Sequence, residues 1–372
     1  MEPNVKDLTY DEQYLRFTLE NVNVSIANAI RRIILSEIPC VVFRTTPYKD
    51  SLATIDINTS RMNNELIKQR ISCIPIHIKD VSEFDINDYV VEVDERNDSE
   101  EIIYVTSKHL KIRHLSTGKY ISETNRDAIF PRNEITGDFI DIVRLRPKIS
   151  DKISGEHIKM SMKLALGTAK RDGAFNVVST CSYAATPDTQ EIEINWKKLE
   201  QEMQSNGKSE SVIKYVEKDW RLLEAKRITK PDSFDFVIES VGQFEPIEIV
   251  KKAIGVMRQK LMSFKDVIYN EGVVSRSNAT TPNMFDIILK GEDYTLGKVL
   301  EFILYRDYYE TTNTEVLNLN YCGFKKPHPH IDLSVIRIGF NDESVEPDEV
   351  INLLEVVYYT ATNIFDVIEK GF

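Results

Sequence analysis

The stretch Gly291-Glu-Asp-Tyr-Thr-Leu-Gly297-Lys298 is a glycine-bounded turn between a strand-like and a helix-like pattern, the place where a phosphate-binding loop would sit. Such a loop wraps backbone N–H groups around phosphate, reaches the outer phosphates with its lysine and needs a following Ser or Thr to hold magnesium. Here five residues, not four, separate the glycines, Val299 follows the lysine, and Glu292 and Asp293 would repel a phosphate. The turn is therefore expected to start a helix and not to bind a nucleotide. His328 and His330, in Pro327-His-Pro-His330, offer two imidazoles to a metal, but no cysteine or carboxylate at useful spacing joins them, and a structural loop is the better reading. Cys40, Cys73, Cys181 and Cys322 are dispersed without a C-x-x-C pair, so neither a zinc site nor a disulfide framework follows. Scattered cysteines suit a reducing compartment. The six histidines form no H-E-x-x-H, and no Ser, His and Asp set can be singled out. Nothing reads as catalytic, and no metal or cofactor is expected.

Arg31 and Arg32 lie in a helix pattern beside an apolar stripe, so at least one guanidinium must project next to the packed face. The residues alone leave two readings open, solvated charge and contact with a partner.

The elements that would carry these residues are written twice. Residues 15–34 (LRFTLENVNVSIANAIRRII) and 285–304 (FDIILKGEDYTLGKVLEFIL) share a short strand, a polar turn, a Ser or Thr start signal and an amphipathic helix. The apolar helix positions pair as Ile26 with Leu296, Ala29 with Val299, Ile30 with Leu300, Ile33 with Ile303 and Ile34 with Leu304, one face of a 3.6-residue helix in both copies. Residues 236–261 and 336–362 extend the repeat, each running strand, loop, Glu-Pro, long helix, with Pro246 and Pro347 in the first turn where proline is tolerated. Four helices, over 25–36, 246–262, 295–306 and 347–369, are expected to share one core. Ser25 and Pro246 stand 221 positions apart but Thr295 and Pro347 only 52, so the first copy carries roughly 170 additional residues, the size of a domain.

The organisation that follows is a first dimerisation domain over 1–45 and 232–269, an inserted domain over 46–231, a linker over 270–283 and a second dimerisation domain over 284–372. Within the insert, strands are expected at 51–57, 89–93, 102–106 and 157–166, and a helix at 60–70 running into an apolar strand at 71–78. A charged helical region over 196–227, broken at Ser205-Asn206-Gly207, should pack on the insert through Val216, Trp220 and Leu223. The linker is rich in Ser, Thr, Asn and Pro and could span at most about 45 to 50 Å.

At 372 residues with a formal charge of −12, the chain has ample length for a core and an acidic surface. Residues 284–372 hold 7 Lys and Arg against 16 Asp and Glu. Such a surface repels phosphate backbones, which favours basic protein partners over direct binding of DNA or RNA; it equally serves solubility. The opening residues MEPNVKDLTYDEQ are acidic and polar, so no signal peptide or membrane span is expected.

At Asn21-Val-Asn-Val-Ser-Ile-Ala-Asn-Ala-Ile-Arg-Arg-Ile-Ile-Leu-Ser-Glu-Ile-Pro39 the chain resembles the alpha-type assembly subunits of multisubunit RNA polymerases: the third-largest subunit of the eukaryotic enzyme, its archaeal D-type counterpart and bacterial alpha. Glu65-Leu-Ile-Lys-Gln-Arg70 with Ile74-Pro75-Ile76, Gly167-Thr-Ala-Lys170, and Phe236-Val-Ile-Glu-Ser-Val-Gly242 are similar to later blocks of that family. Glu292-Asp-Tyr-Thr-Leu-Gly297 and Tyr321-Cys-Gly-Phe-Lys-Lys-Pro-His-Pro329 resemble its small partner, the eleventh subunit or the archaeal L-type equivalent. The resemblance implies an α+β fold: two alpha-subunit-type dimerisation repeats fused in one chain as a pseudo-two-fold platform, with a mixed α/β domain inserted in the first. It implies a non-catalytic subunit of a DNA-directed RNA polymerase that seats the two largest catalytic subunits and small adaptor subunits. It also implies nucleic-acid contact only through the complex, no membrane and no homodimer. Arg31, Arg32, Glu37, Glu65, Arg70 and Lys170 are the residues it turns toward partners, and Ile26, Ile30, Ile33, Leu296, Leu300 and Ile303 those it places in the intramolecular dimer core. The single-chain fusion resembles what large cytoplasmic DNA viruses encode, which points to a viral factory or virion, with the nucleus as the alternative. The cysteine-rich zinc loop of eukaryotic relatives is missing. A stand-alone enzyme using the insert and a scaffold unrelated to transcription are the rival readings.

Overall fold

The computed structural model describes residues 2–11, 13–80, 84–150, 153–278, 281–310, 317–341 and 344–372. The chain opens with β1 (Asn4–Tyr10), β2 (Tyr14–Glu20) and α1 (Val24–Ser36). It continues through β3 (Cys40–Phe43), β4 (Ala53–Asn58), α2 (Asn64–Ser72), β5 (Tyr89–Arg96), β6 (Ile103–Thr106), β7 (Lys111–His114), α3 (Glu123–Ile129), β8 (Asp141–Leu145) and β9 (His157–Gly167). β10 (Val178–Pro187), α4 (Thr189–Ser205), α5 (Glu210–Leu222), β11 (Thr229–Ser240) and α6 (Pro246–Val267) follow. The last stretch holds β12 (Val274–Arg276), β13 (Met284–Lys290), α7 (Tyr294–Leu304), β14 (Leu319–Lys325), β15 (Leu333–Phe340) and α8 (Pro347–Glu369). The fold is mixed α and β, and it divides into two compact units.

One unit comprises Met1–Ile34, Thr180–Ile238 and Val250–Phe372. It contains two four-stranded sheets, in the orders β1-β2-β11-β10 and β12-β13-β15-β14. Strand periodicity decides which faces are buried: Leu15, Phe17 and Leu19 of β2, Phe285, Ile287 and Leu289 of β13, and Ile336, Ile338 and Phe340 of β15 all point into the core. The helices cover those faces with stripes at i, i+3, i+4 and i+7 spacing. The five matched apolar pairs of α1 and α7 are all buried. On α6, Val250, Ala253, Ile254, Met257, Leu261 and Phe264 form the stripe, and on α8 it is Val350, Leu353, Leu354, Val357, Ala361, Ile364, Phe365 and Ile368.

The two strand-to-helix turns are built alike, residue for residue. Asn21 and Gly291 both adopt left-handed backbone, with φ of 58° and 77°. Two residues later Asn23 accepts a hydrogen bond from the Ser25 N–H at 2.9 Å, and Asp293 accepts one from the Thr295 N–H at 2.8 Å. These bonds satisfy a backbone donor that the first helical turn leaves over.

The other unit comprises Leu35–Ser179 and Glu239–Ile249. Its sheet runs β3-β9-β5-β7, with β4 also pairing β9, and β6 and β8 form a separate ribbon. Its core includes Val41, Phe43, Val91, Val93, Phe130, Ile158, Met160 and Met162.

Three expectations need correction. The apolar stretch 71–78 is not a strand: α2 runs to Ser72, Cys73 caps it, and the rest is irregular. Ile74, Ile76 and Ile78 are buried in strand-like alternation, but Pro75 has no N–H for a ladder and the His77 N–H goes to the Ile129 carbonyl at 3.0 Å. Secondly, α4 and α5 group with the first unit and not with an insert over 46–231. Their flanking strands β10 and β11 are neighbours in the sheet that contains β1 and β2, so the two helices are an excursion from that sheet. Thirdly, Trp196 is buried with Trp220 5.5 Å from it, ring centre to ring centre, while Leu223 is exposed. Helices end at Val267 and begin again at Tyr294, with β12 between them, so the linker over 270–283 contains a short strand. The junction between Ala279 and Thr280, within that linker, lies outside the described residues.

Candidate functional site

The catalytic candidates dissolve first. Gly297 lies in α7 because a side chain would not fit: a Cβ there would stand 2.0 Å from the Phe324 ring. Gly291 supplies the left-handed turn, Glu292 is paired with Lys260, and Lys298 is paired with Glu301. His328 and His330 stack edge to face in an exposed loop, with the His330 N–H donating to His328 Nδ1 at 3.1 Å. Among the described residues no group of three or more His, Cys, Asp or Glu side chains could hold a metal ion. Burial pushes the Cys40, Cys181 and Cys322 thiols up to about 12, which keeps them protonated and unreactive. No described helix is long and apolar enough to cross a membrane.

What the structure does assemble is a charged seam inside the first unit, between the part of the chain before residue 268 and the part after 283. Arg32, in the penultimate turn of α1, donates to the Thr295 hydroxyl at 2.9 Å and to the Asp293 carboxylate at 2.8 Å, both at the start of α7. Arg258 of α6 bonds Asp366 at 2.7 Å and also Glu369, both on α8. Those two carboxylates raise the Arg258 guanidinium above its ordinary value, Glu369 contributing most. Lys260 meets Glu292 at 3.0 Å. Lys265 donates to the Tyr359 hydroxyl at 2.7 Å and faces Glu355 at 3.4 Å, and these contacts, Tyr359 first, push its ammonium up to about 12. Beside the charges, the Phe372 ring meets Phe17 edge to face at 4.7 Å.

Ile26, Ile30, Ile33, Leu296, Leu300 and Ile303 are each at most 2% exposed. The residues expected to face partners are dispersed. Arg31 is half-buried and donates to Asn28 on its own helix at 2.8 Å. Arg32, named with it, points to α7 of its own chain. Glu37 is half-buried. Glu65 and Arg70 are exposed on α2, where Arg70 donates to the Asp141 carbonyl at 2.7 Å. Lys170 is exposed, its N–H bonded to the Ser36 carbonyl at 2.8 Å. Sequence reasoning missed Arg258, Lys260, Lys265, Glu355, Asp366 and Glu369. Their signal lay in a charge bias, because α8 carries five acidic residues and no base.

Residues 16–261, more than half of the chain, match the RNA polymerase Rpb3/Rpb11 dimerisation domain, and the chain belongs to that family. Residues 284–372 lie beyond the matched segment. The chain is similar to the DNA-directed RNA polymerases I and III subunit RPAC1 of Homo sapiens, at 26% identity over 302 residues, 69% of this chain and 82% of the human one. It is also similar to the DNA-directed RNA polymerases IV and V subunit 3B of Arabidopsis thaliana, at 24% over 309 residues, covering 70% and 89%. A third relative is the DNA-directed RNA polymerase subunit Rpo3 of Pyrococcus horikoshii, at 25% over 279 residues, covering 70% and 95%.

Proposed function

We propose that this chain is a non-catalytic assembly subunit of a DNA-directed RNA polymerase, holding both halves of the family's dimerisation pair in one polypeptide. The observation that carries the reading is the matched pair of strand-turn-helix units, Asn21 with Gly291 and Asn23 with Asp293, found within one compact unit. Each half has an apolar helix stripe that it cannot cover alone, so the halves pack as an intramolecular pseudo-dimer about an approximate two-fold axis. Family membership and the named relatives supply the context, a multisubunit polymerase. The platform seats the two largest subunits and small adaptors, and Arg31, Glu37, Glu65, Arg70 and Lys170 are its partner-facing candidates. Arg32 divides its guanidinium between that role and the seam. Nucleic acid is contacted only through the complex. A fused pair suits a large DNA virus, with the protein in its cytoplasmic factory or virion.

The test is purification of tagged full-length protein from its native source. Two very large chains in stoichiometric amount support the reading, whereas substrate turnover by the protein with no such chains attached would replace it with an enzyme.

A further inference from the structure

The ion pairs of the seam share one polarity. Arg32, Arg258, Lys260 and Lys265, all before residue 268, supply the bases; Glu292, Asp293, Glu355, Asp366 and Glu369, all after 283, supply the acids. The long helices carry the same bias along their length. α6 holds Lys251, Lys252, Arg258, Lys260 and Lys265 against Glu248 and Asp266, while α8 holds Asp348, Glu349, Glu355, Asp366 and Glu369 and no base. Lys260 and Glu292 are only 14% and 20% exposed at the side chain, so water and salt screen that pair less than a surface one.

Apolar packing cannot make the same distinction. The stripes of α1 and α7 match position for position, so each half offers to its own copy much the same apolar face that it offers to the other half. Something else must decide which halves meet, and a difference in affinity needs a repulsive element as well as an attractive one.

We infer that the charged seam is a pairing code: the first half accepts an acidic half of the second type and rejects another copy of itself. With α6 and α8 aligned on Pro246 and Pro347, Lys265 stands where Asp366 does, so two first halves would set Arg258 against Lys265 and two second halves would set Asp366 against Glu355. Like charges brought together at an interface suppress the wrong partner more than matched ones strengthen the right one. The seam thus keeps one chain from joining another through like halves. The inference rests on the proposed pairing of the halves, but on no polymerase contact.

Two full-length proteins test it, each with a protease site inserted after Asn278 and each cut while folded. One is native. The other has its seam reversed by Arg258→Glu, Lys260→Glu and Lys265→Glu together with Glu292→Lys, Glu355→Lys, Asp366→Lys and Glu369→Lys. Isotope-labelled and unlabelled native proteins, cut and mixed, set the rate at which halves exchange, read by native mass spectrometry. Native and reversed proteins mixed in the same way should give matched pairs in excess of mixed pairs by more than about tenfold in dilute salt, with the excess shrinking at about 1 M. Mixed pairs as frequent as matched ones, with native halves fully exchanged, overturn the inference. If the reversed protein does not fold, or native halves do not exchange, the uncut chain decides. Arg258→Glu alone, and Asp366→Lys with Glu369→Lys alone, should each lower the melting temperature, and all three together should recover most of the loss. Losses that simply add would overturn the inference. Loss of the large polymerase subunits in a pulldown would strike the proposed function and leave the pairing code standing.

Discussion

Two single residues show how local geometry sets tolerance. Gly297 has the Phe324 ring where its side chain would be, so Gly297→Ala should overpack α7 against β14 and cost about 1–3 kcal/mol in denaturant unfolding. Phe324→Leu in the same chain should return part of that loss. Asp286 accepts from Arg337 at 2.6 and 2.8 Å and from the Ser277 hydroxyl at 2.9 Å, and the Arg337 bonds foremost hold its carboxyl below the usual 3.8. A depressed folded value means that the stabilisation is complete above about pH 4 and fades as pH falls through that lower value. Asp286→Asn should therefore lose about 1 kcal/mol at pH 7, and its stability curve should converge with that of the native protein in acid. The glycine was legible in the sequence only as a failed phosphate loop. Its real cause is a ring 27 positions away, which no local pattern reports.

Elements were legible where periodicity and end signals agreed. Pro246 and Pro347 marked the first residues of α6 and α8, and the α1 and α7 stripes are buried at every matched position. Ile30→Asp or Leu300→Asp should consequently destabilise by about 3–5 kcal/mol, since each buries an unpaired charge; urea titration would measure it. Residues 71–78 misled because alternate burial looks the same with or without a hydrogen-bonded ladder. Arg31 and Arg32, adjacent in sequence, are separated by the helix itself, which aims one at Asn28 and the other across to α7. Arg32→Glu, which would oppose Asp293, should lower the melting temperature well beyond Arg31→Glu, whose loss should stay within about 1 kcal/mol. Equal losses would show that the bond to α7 adds nothing, and only Arg31→Glu gives a clean test of partner contact.

At the scale of the molecule, the two matched strand-turn-helix units were legible as a repeat, but the extent of the excursions was not. α4 and α5 are polar and lie between β10 and β11, so only the sheet order reveals which unit they serve. Dispersed cysteines lead to one further expectation, that purified full-length protein contains no stoichiometric zinc by elemental analysis; about one zinc per chain would contradict it.

The two units also differ in when they can exist. Most of the core of the second unit is drawn from Val41 to Leu164, its last segment adding the buried Phe244 and Ile249, whereas the first unit draws on strands from β1 to β15. A ribosome therefore delivers most of the second core before half the chain is made, while Phe17 of β2 and Arg32 of α1, synthesised earlier, wait for Phe372 and Asp293. Through that interval Phe17 lacks the ring that meets it in the finished fold, so arrested translation products ending near residue 270 should bind chaperones more than the full-length chain does.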